Sequence, residues 1–114
     1  MSRTPMVTLL RRLATQRPEA PALTVEGQTL SFAELDHLSE CAAHQYAELE
    51  VGPGDVVAIV LPNSIEFIVA AFATLKVGAS IGPLSHRLPQ PELEQLIDLA
   101  NPRLIIGDAG QHRG

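Results

Sequence analysis

The stretch DVVAIVLPNSIEFIVAAFATLKVGASIGPL, residues 55–84, decides the fold. Residues 56–61 are apolar and mostly β-branched without alternation, which is typical of a parallel strand covered on both faces. Asn63 and Ser64 follow directly, and each can cap the start of a helix. Because a parallel return needs a crossover helix, the pattern predicts strand, helix, strand, with the second strand at 79–84.

The central helix of this unit is predicted to cover residues 65–77. Glu66 falls three residues after Asn63, which is the spacing of a capping box. Lys76 lies at the negative end of the helix dipole, and Gly78 follows where a left-handed residue commonly stops a helix. Since apolar residues lie nearly all round this helix, we expect it to be buried.

Three elements are predicted before this unit. An amphipathic helix begins at Pro5, and a β-hairpin turns at Glu26 and Gly27, where glycine supplies the positive φ. A second helix begins after Ser31, which forms a capping box with Glu34. Its apolar stripe is predicted to contain five residues: Leu35, Leu38, Ala42, Tyr46 and Leu49.

A third long helix at 91–100 and a short strand at 103–107 follow the central unit. The predicted fold is therefore α/β: an N-terminal helix and a β-hairpin, followed by βαβαβ with parallel strands. We expect residues 1–114 to form one partial domain, because this sheet stops before it is complete. Residues 109–114 are predicted to be a flexible tail.

The composition indicates a globular chain. Of 114 residues, 46% are hydrophobic and 18% charged, which excludes a disordered chain, and the net charge of −5 argues against nucleic acid as the main partner. Polar residues divide the apolar middle into pieces too short to span a membrane. The single Cys41 and the lack of a continuous apolar signal segment predict a cytoplasmic protein, with Cys41 buried as a small hydrophobic residue.

Two loops are candidates for ligand binding because ligands of open α/β sheets bind beyond the carboxyl ends of the strands. The first loop contains Asn63 and Ser64, and the second contains Ser85, His86 and Arg87. Each loop leads into a helix N-terminus, where anions bind, and Arg87 adds a permanent positive charge suited to phosphate. On spacing alone, helix capping by the first loop and a solvated Arg87 remain alternatives.

Other motifs do not form a site. Gly52 and Gly54 lead into a strand instead of a helix, so they are not a dinucleotide fingerprint. The four histidines share no metal-ligand spacing, although the two in the second helix could line one face of it. We therefore predict no catalytic residue and no metal ligand in this chain.

Five segments, in order, carry a family resemblance: LSFAEL at 30–35, GDVVAIVLPNSIEF at 54–67, LKVGAS at 75–80, SHRLPQPEL at 85–93 and NPRLIIGD at 101–108. Together they resemble the N-terminal part of the adenylate-forming, AMP-binding superfamily, and are most like an acyl-CoA synthetase. The resemblance implies an ATP- and Mg²⁺-dependent ligase that converts a carboxylic acid to an acyl-adenylate and then to a thioester with coenzyme A (CoA). It also implies that the chain is an incomplete part of the large N-terminal domain of such an enzyme.

The resemblance also bears on individual residues. The family's phosphate loop and catalytic lysine have no counterpart in residues 1–114, so the isolated chain is expected to be catalytically incompetent and to bind ATP, Mg²⁺ and CoA weakly at most. In similar CoA ligases the loop after the second strand lines the CoA pocket. Ser85, His86 and Arg87 match this loop, with an arginine at the position of Arg87.

Two alternatives stay open at this stage. The chain could be part of an aryl-acid or carrier-protein adenylating enzyme, because the Ser-His-Arg segment also resembles those proteins. It could instead be a free-standing, non-catalytic module that binds a nucleotide or another protein. The second alternative predicts dimerisation through the exposed sheet edge at residues 103–107.

Overall fold

The computed structural model describes residues 5–107. Their helices and strands follow the predicted order: α1 (Pro5–Gln16), β1 (Pro21–Val25), β2 (Gln28–Ser31), α2 (Phe32–Glu48), β3 (Val56–Val60), α3 (Ile65–Lys76), β4 (Ser80–Pro83), α4 (Gln90–Ala100) and β5 (Leu104–Gly107). The α/β class is therefore confirmed. The predicted tail at 109–114 lies outside the described residues.

The main sheet has three strands in the order β4-β3-β5. Both neighbours of β3 run parallel to it, so Ala58 is paired with Gly82 on one side and with Ile105 on the other. The parallel βαβαβ arrangement is therefore confirmed, although β3 and β4 are shorter than predicted. The hairpin β1-β2 forms a separate two-stranded antiparallel sheet.

Helices cover both faces of the main sheet. Successive residues of β3 point to opposite faces, so Val57 and Ile59 pack with α2 and α3, whereas Ala58 and Val60 pack with α4. All four are at most 4% exposed. This two-sided burial explains why the sequence of β3 lacks the apolar–polar alternation of a strand with one solvated face.

The local signals before β3 act as predicted. In the hairpin, Glu26 and Gly27 both have positive φ, at 51° and 84°, as a type I′ turn requires. At the start of α2 the Ser31 hydroxyl accepts a hydrogen bond from the Glu34 N–H at 3.1 Å, and the Ser31 N–H donates to Glu34 Oε1 at 2.8 Å. These reciprocal bonds form the predicted capping box.

The apolar stripe predicted for α2 is partly wrong. Leu35 and Tyr46 are buried, but Leu38 and Leu49 are 41% and 52% exposed. The small residues Ser39 and Ala43 occupy the buried face instead. Small side chains allow helices to approach closely. Whether a residue of α2 is buried therefore depends more on its position relative to α3 than on its hydrophobicity.

Of the two N-cap candidates predicted for α3, the structure uses the second. Ser64 is the N-cap, and its hydroxyl accepts a hydrogen bond from the Phe67 N–H at 3.1 Å. Glu66 is therefore the second helical residue and does not form the predicted capping box with Asn63. At the other end, Gly78 has φ +83° and follows the helix as predicted.

The burial predicted for α3 holds for one face only. Ala70, Ala73 and Thr74 are at most 2% exposed, whereas Ile68 and Phe72 are only half-buried. Cys41 on α2 is exposed, so the prediction that it is buried is wrong. No described helix is both long enough and apolar enough to cross a membrane.

Candidate functional site

The two predicted ligand-binding loops begin side by side at the carboxyl edge of the main sheet. Ile59 near the end of β3 is paired with Pro83 at the end of β4, so the chain leaves both strands at the same edge. The parallel ladder continues to Leu84, whose N–H donates to the Ile59 carbonyl at 3.0 Å. The fold therefore places these loops where ligands of parallel sheets bind.

The loop after β4 is a tight turn from Ser85 to Leu88. The Ser85 hydroxyl accepts a hydrogen bond from the Arg87 N–H at 3.2 Å, and the Leu88 N–H donates to the Ser85 carbonyl at 3.3 Å. Ser85, His86 and Arg87 are all exposed, whereas Leu88 is half-buried against the core beneath α4. The turn thus directs two basic side chains, those of His86 and Arg87, to the surface.

The helix N-termini at this edge differ in how they are capped. The Ser64 hydroxyl caps α3 and accepts a hydrogen bond from the Phe67 N–H. One of the backbone N–H groups that could bind an anion at this helix N-terminus is therefore already occupied. The N-cap of α4 is Pro89, which forms no side-chain hydrogen bond. However, Glu92 in the first turn of α4 disfavours a second negative charge beside it. Arg87 is therefore the better candidate for an anion contact at this edge.

A second concave region lies at the opposite edge of the sheet. Its volume is about 740 Å³, and it is lined by residues at the starts of β3 and β5, including Asp55 and Arg103. Asp55 accepts a hydrogen bond from the Gly52 N–H at 2.8 Å, and Arg103 pairs with Glu50 at 3.2 Å. These side chains are engaged in turns and a surface ion pair, so we assign no ligand to this cavity.

The described residues offer little for acid–base or metal chemistry. Between residues 5 and 107, no group of three or more His, Cys, Asp or Glu side chains is placed to hold a metal ion. Burial raises the pKa of Tyr46 to about 12, so its phenol stays protonated at neutral pH. At the carboxyl edge, the exposed guanidinium of Arg87 is the candidate group for contact with an anion.

Sequence reasoning missed an ion cluster between α2 and α3. The Lys76 side chain is only 3% exposed, and its Nζ donates to Asp36 Oδ1 at 2.6 Å and to Glu40 Oε1 at 2.9 Å. Arg11 of α1 reaches Glu40 at 3.4 Å. The hydrogen bond from Lys76 lowers the pKa of Glu40, although partial burial opposes this shift. The available signal was the one basic residue of a largely apolar helix, Lys76, together with two carboxylates four residues apart on α2, Asp36 and Glu40.

Comparison with known proteins identifies the family. Residues 10–113 match the AMP-binding enzyme family. The dimodular nonribosomal peptide synthase of Bacillus subtilis is 37% identical over 93 residues, which are 82% of this chain and 4% of that protein.

Two solved structures agree in fold. O-succinylbenzoate Coenzyme A synthetase from Bacillus subtilis, in complex with AMP, gives a TM-score of 0.80 at 32% identity, over 88% of this chain and 26% of that one. A fatty acyl CoA synthetase from Mycobacterium tuberculosis gives a TM-score of 0.81 at 27% identity, over 90% of this chain and 21% of that one.

The chain thus spans about a quarter of these solved chains or less, and far less of the peptide synthase. The family match nevertheless covers almost all of it, and the observed βαβαβ fold agrees. The chain therefore belongs to the AMP-binding enzyme family and has the fold of part of the N-terminal domain of adenylate-forming enzymes.

Proposed function

We propose that this chain is the N-terminal part of an ATP-dependent carboxylic acid:CoA ligase. The complete enzyme would convert an acid and ATP to an acyl-adenylate, and would then transfer the acyl group to CoA. In this scheme the described segment contributes to the second half-reaction, through the loop that contains Ser85, His86 and Arg87. We assign the described segment no part in the chemistry of adenylation.

The observation that carries the proposal is the position of Arg87. It is exposed at the carboxyl edge of a parallel sheet, and it follows β4 as the family resemblance requires for a CoA contact. A guanidinium presents several N–H donors to phosphate oxygens, and CoA carries phosphates in its nucleotide part. Two solved relatives are described as CoA synthetases, which supports the same acceptor.

ATP and Mg²⁺ enter the proposal through the family. The described residues do not supply a suitable donor set for the metal, so we assign no Mg²⁺ ligand and derive no step through it. We expect the isolated chain to bind ATP and CoA weakly at most. A cytoplasmic location, and dimerisation of the isolated chain through the outer edge of β5, are further proposals.

A second candidate differs in the acceptor thiol. The similarity to a nonribosomal peptide synthase favours an enzyme that transfers its acyl or aryl group to a carrier protein. Both candidates form an acyl-adenylate, so adenylation assays do not separate them. Only the acceptor of the acyl group does.

Replacing Arg87 with alanine in the complete enzyme should raise the apparent KM for CoA about tenfold, because a charged hydrogen bond to phosphate is lost from an exposed site. Acid-dependent pyrophosphate exchange, which reports adenylation, should be unchanged. The two half-reactions are measured separately, with a panel of fatty and aryl acids. Arg12→Ala on α1 is the matched control, because it removes an exposed arginine outside the proposed site.

Two results would contradict the assignment. If both half-reactions fall together, Arg87 supports the structure of the domain and not the binding of CoA. If the KM for CoA stays at the value of the Arg12→Ala control, Arg87 is a solvated surface residue.

A further inference from the structure

We propose that Ser85 is a positioning residue, which fixes the turn that presents Arg87 and does not itself contact CoA. This inference rests on the proposed function, because it concerns the same loop. Sequence reasoning grouped Ser85 with His86 and Arg87 as residues of one CoA pocket. The hydrogen bonds of the turn separate their roles.

Both polar groups of Ser85 that can accept a hydrogen bond serve the turn. The hydroxyl accepts from the Arg87 N–H at 3.2 Å, and the carbonyl accepts from the Leu88 N–H at 3.3 Å. A serine hydroxyl that bonds a backbone N–H two residues ahead restrains the intervening residue and offers the chain a defined turn. The backbone of Arg87 is thereby tied to Ser85.

The turn is also anchored at both ends. On one side, the Leu84 N–H makes the last bond of the parallel ladder, to Ile59 at 3.0 Å. On the other side, Leu88 packs against the core beneath α4, and the Leu93 N–H bonds the Pro89 carbonyl at 2.9 Å. Because the ends are fixed, a hydrogen bond inside the turn restrains the backbone that carries its two exposed side chains.

The Ser85 turn should reduce the entropic cost of CoA binding. An exposed arginine in a mobile loop loses conformational freedom when it engages a phosphate, whereas a turn that is already ordered loses less. Removing the Ser85 hydroxyl should therefore weaken CoA binding only through Arg87. A direct contact between Ser85 and CoA would act independently of Arg87.

A double-mutant cycle in the complete enzyme distinguishes these two roles. Ser85→Ala should raise the apparent KM for CoA about threefold, with kcat and pyrophosphate exchange unchanged. Ser85→Thr keeps a hydroxyl acceptor and should restore a KM close to that of the wild type. The double variant Ser85→Ala, Arg87→Ala should show the same KM, about tenfold raised, as Arg87→Ala alone.

The possible outcomes separate this inference from the proposed function. Multiplicative effects, which give about a thirtyfold higher KM in the double variant, would mean that Ser85 contacts CoA directly. If Arg87→Ala raises KM and Ser85→Ala does not, or if Ser85→Thr behaves like Ser85→Ala, only the positioning role is overturned. If Arg87→Ala has no effect on KM, the proposed function of the loop fails and the inference fails with it.

Discussion

Replacing Ile59 with alanine should lower the free energy of unfolding of the chain by about 4 kcal/mol, near the upper end of the range for such truncations. Ile59 is 0% exposed in the central strand β3, and its side chain faces the core formed with α2 and α3. The strand is held on both sides, by β4 and by β5, so its backbone has little freedom to move into the cavity. The cost of the empty volume should therefore add to the lost burial.

Denaturant midpoints of the purified chain test this prediction. Ile59→Val removes a single methylene group and should cost only about 1 kcal/mol, which gives a graded variant if the alanine variant does not fold. Leu99→Ala is the control, because Leu99 is 82% exposed on α4 and its truncation should change stability by less than about 0.5 kcal/mol. Equal costs at Ile59 and Leu99 would mean that β3 is not the centre of the core.

Replacing Lys76 with methionine should destabilise the chain by about 2 kcal/mol. Lys76 is the shared cation of Asp36 and Glu40, and its Nζ also donates to the Asp36 carbonyl at 3.0 Å. Removing one partner of a buried ion pair costs about 3–5 kcal/mol, but these carboxylates are 24% and 45% exposed and stay partly solvated, so the cost is smaller. Arg12→Met, at an exposed position, should leave the denaturant midpoint almost unchanged.

The same cluster predicts a difference in pH dependence. The pKa of Glu40 is lowered in the folded chain, chiefly by the Lys76 hydrogen bond. The contribution of Glu40 to folding stability is therefore complete above its unfolded pKa, about 4.3. That contribution is lost as the pH falls through the lower pKa of the folded chain. Between about pH 6 and about pH 3, the wild type should therefore lose stability more steeply than Lys76→Met. Parallel stability curves would contradict the Lys76–Glu40 interaction.

Features that depend on residues close to each other in the sequence were predictable. The hairpin turn at Glu26 and Gly27 needs only two residues that accept positive φ, and the capping box of Ser31 and Glu34 needs only a fixed spacing. The parallel sheet was also predictable, because a strand buried on both faces has an apolar sequence without alternation. The family resemblance followed from the same segments and is confirmed.

Features that depend on which face of a helix packs against another element of the fold were not predictable from the sequence. Cys41 and Leu38 lie on the exposed side of α2, although both are residues commonly found in cores. Lys76 is buried because Asp36 and Glu40 approach it from another helix, and periodicity within α3 carries no information about them. The Ser85 turn was missed for a related reason, because only the structure shows which donor its hydroxyl meets.

The acceptor thiol is the most direct test of the central proposal. The complete enzyme should be incubated with ATP, Mg²⁺ and an acid that supports pyrophosphate exchange, together with either CoA or a phosphopantetheinylated carrier protein, and the thioester products identified by mass spectrometry. We expect an acyl-CoA product that requires both the acid and ATP. Acyl transfer to the carrier protein without formation of acyl-CoA would contradict the assignment as an acid:CoA ligase.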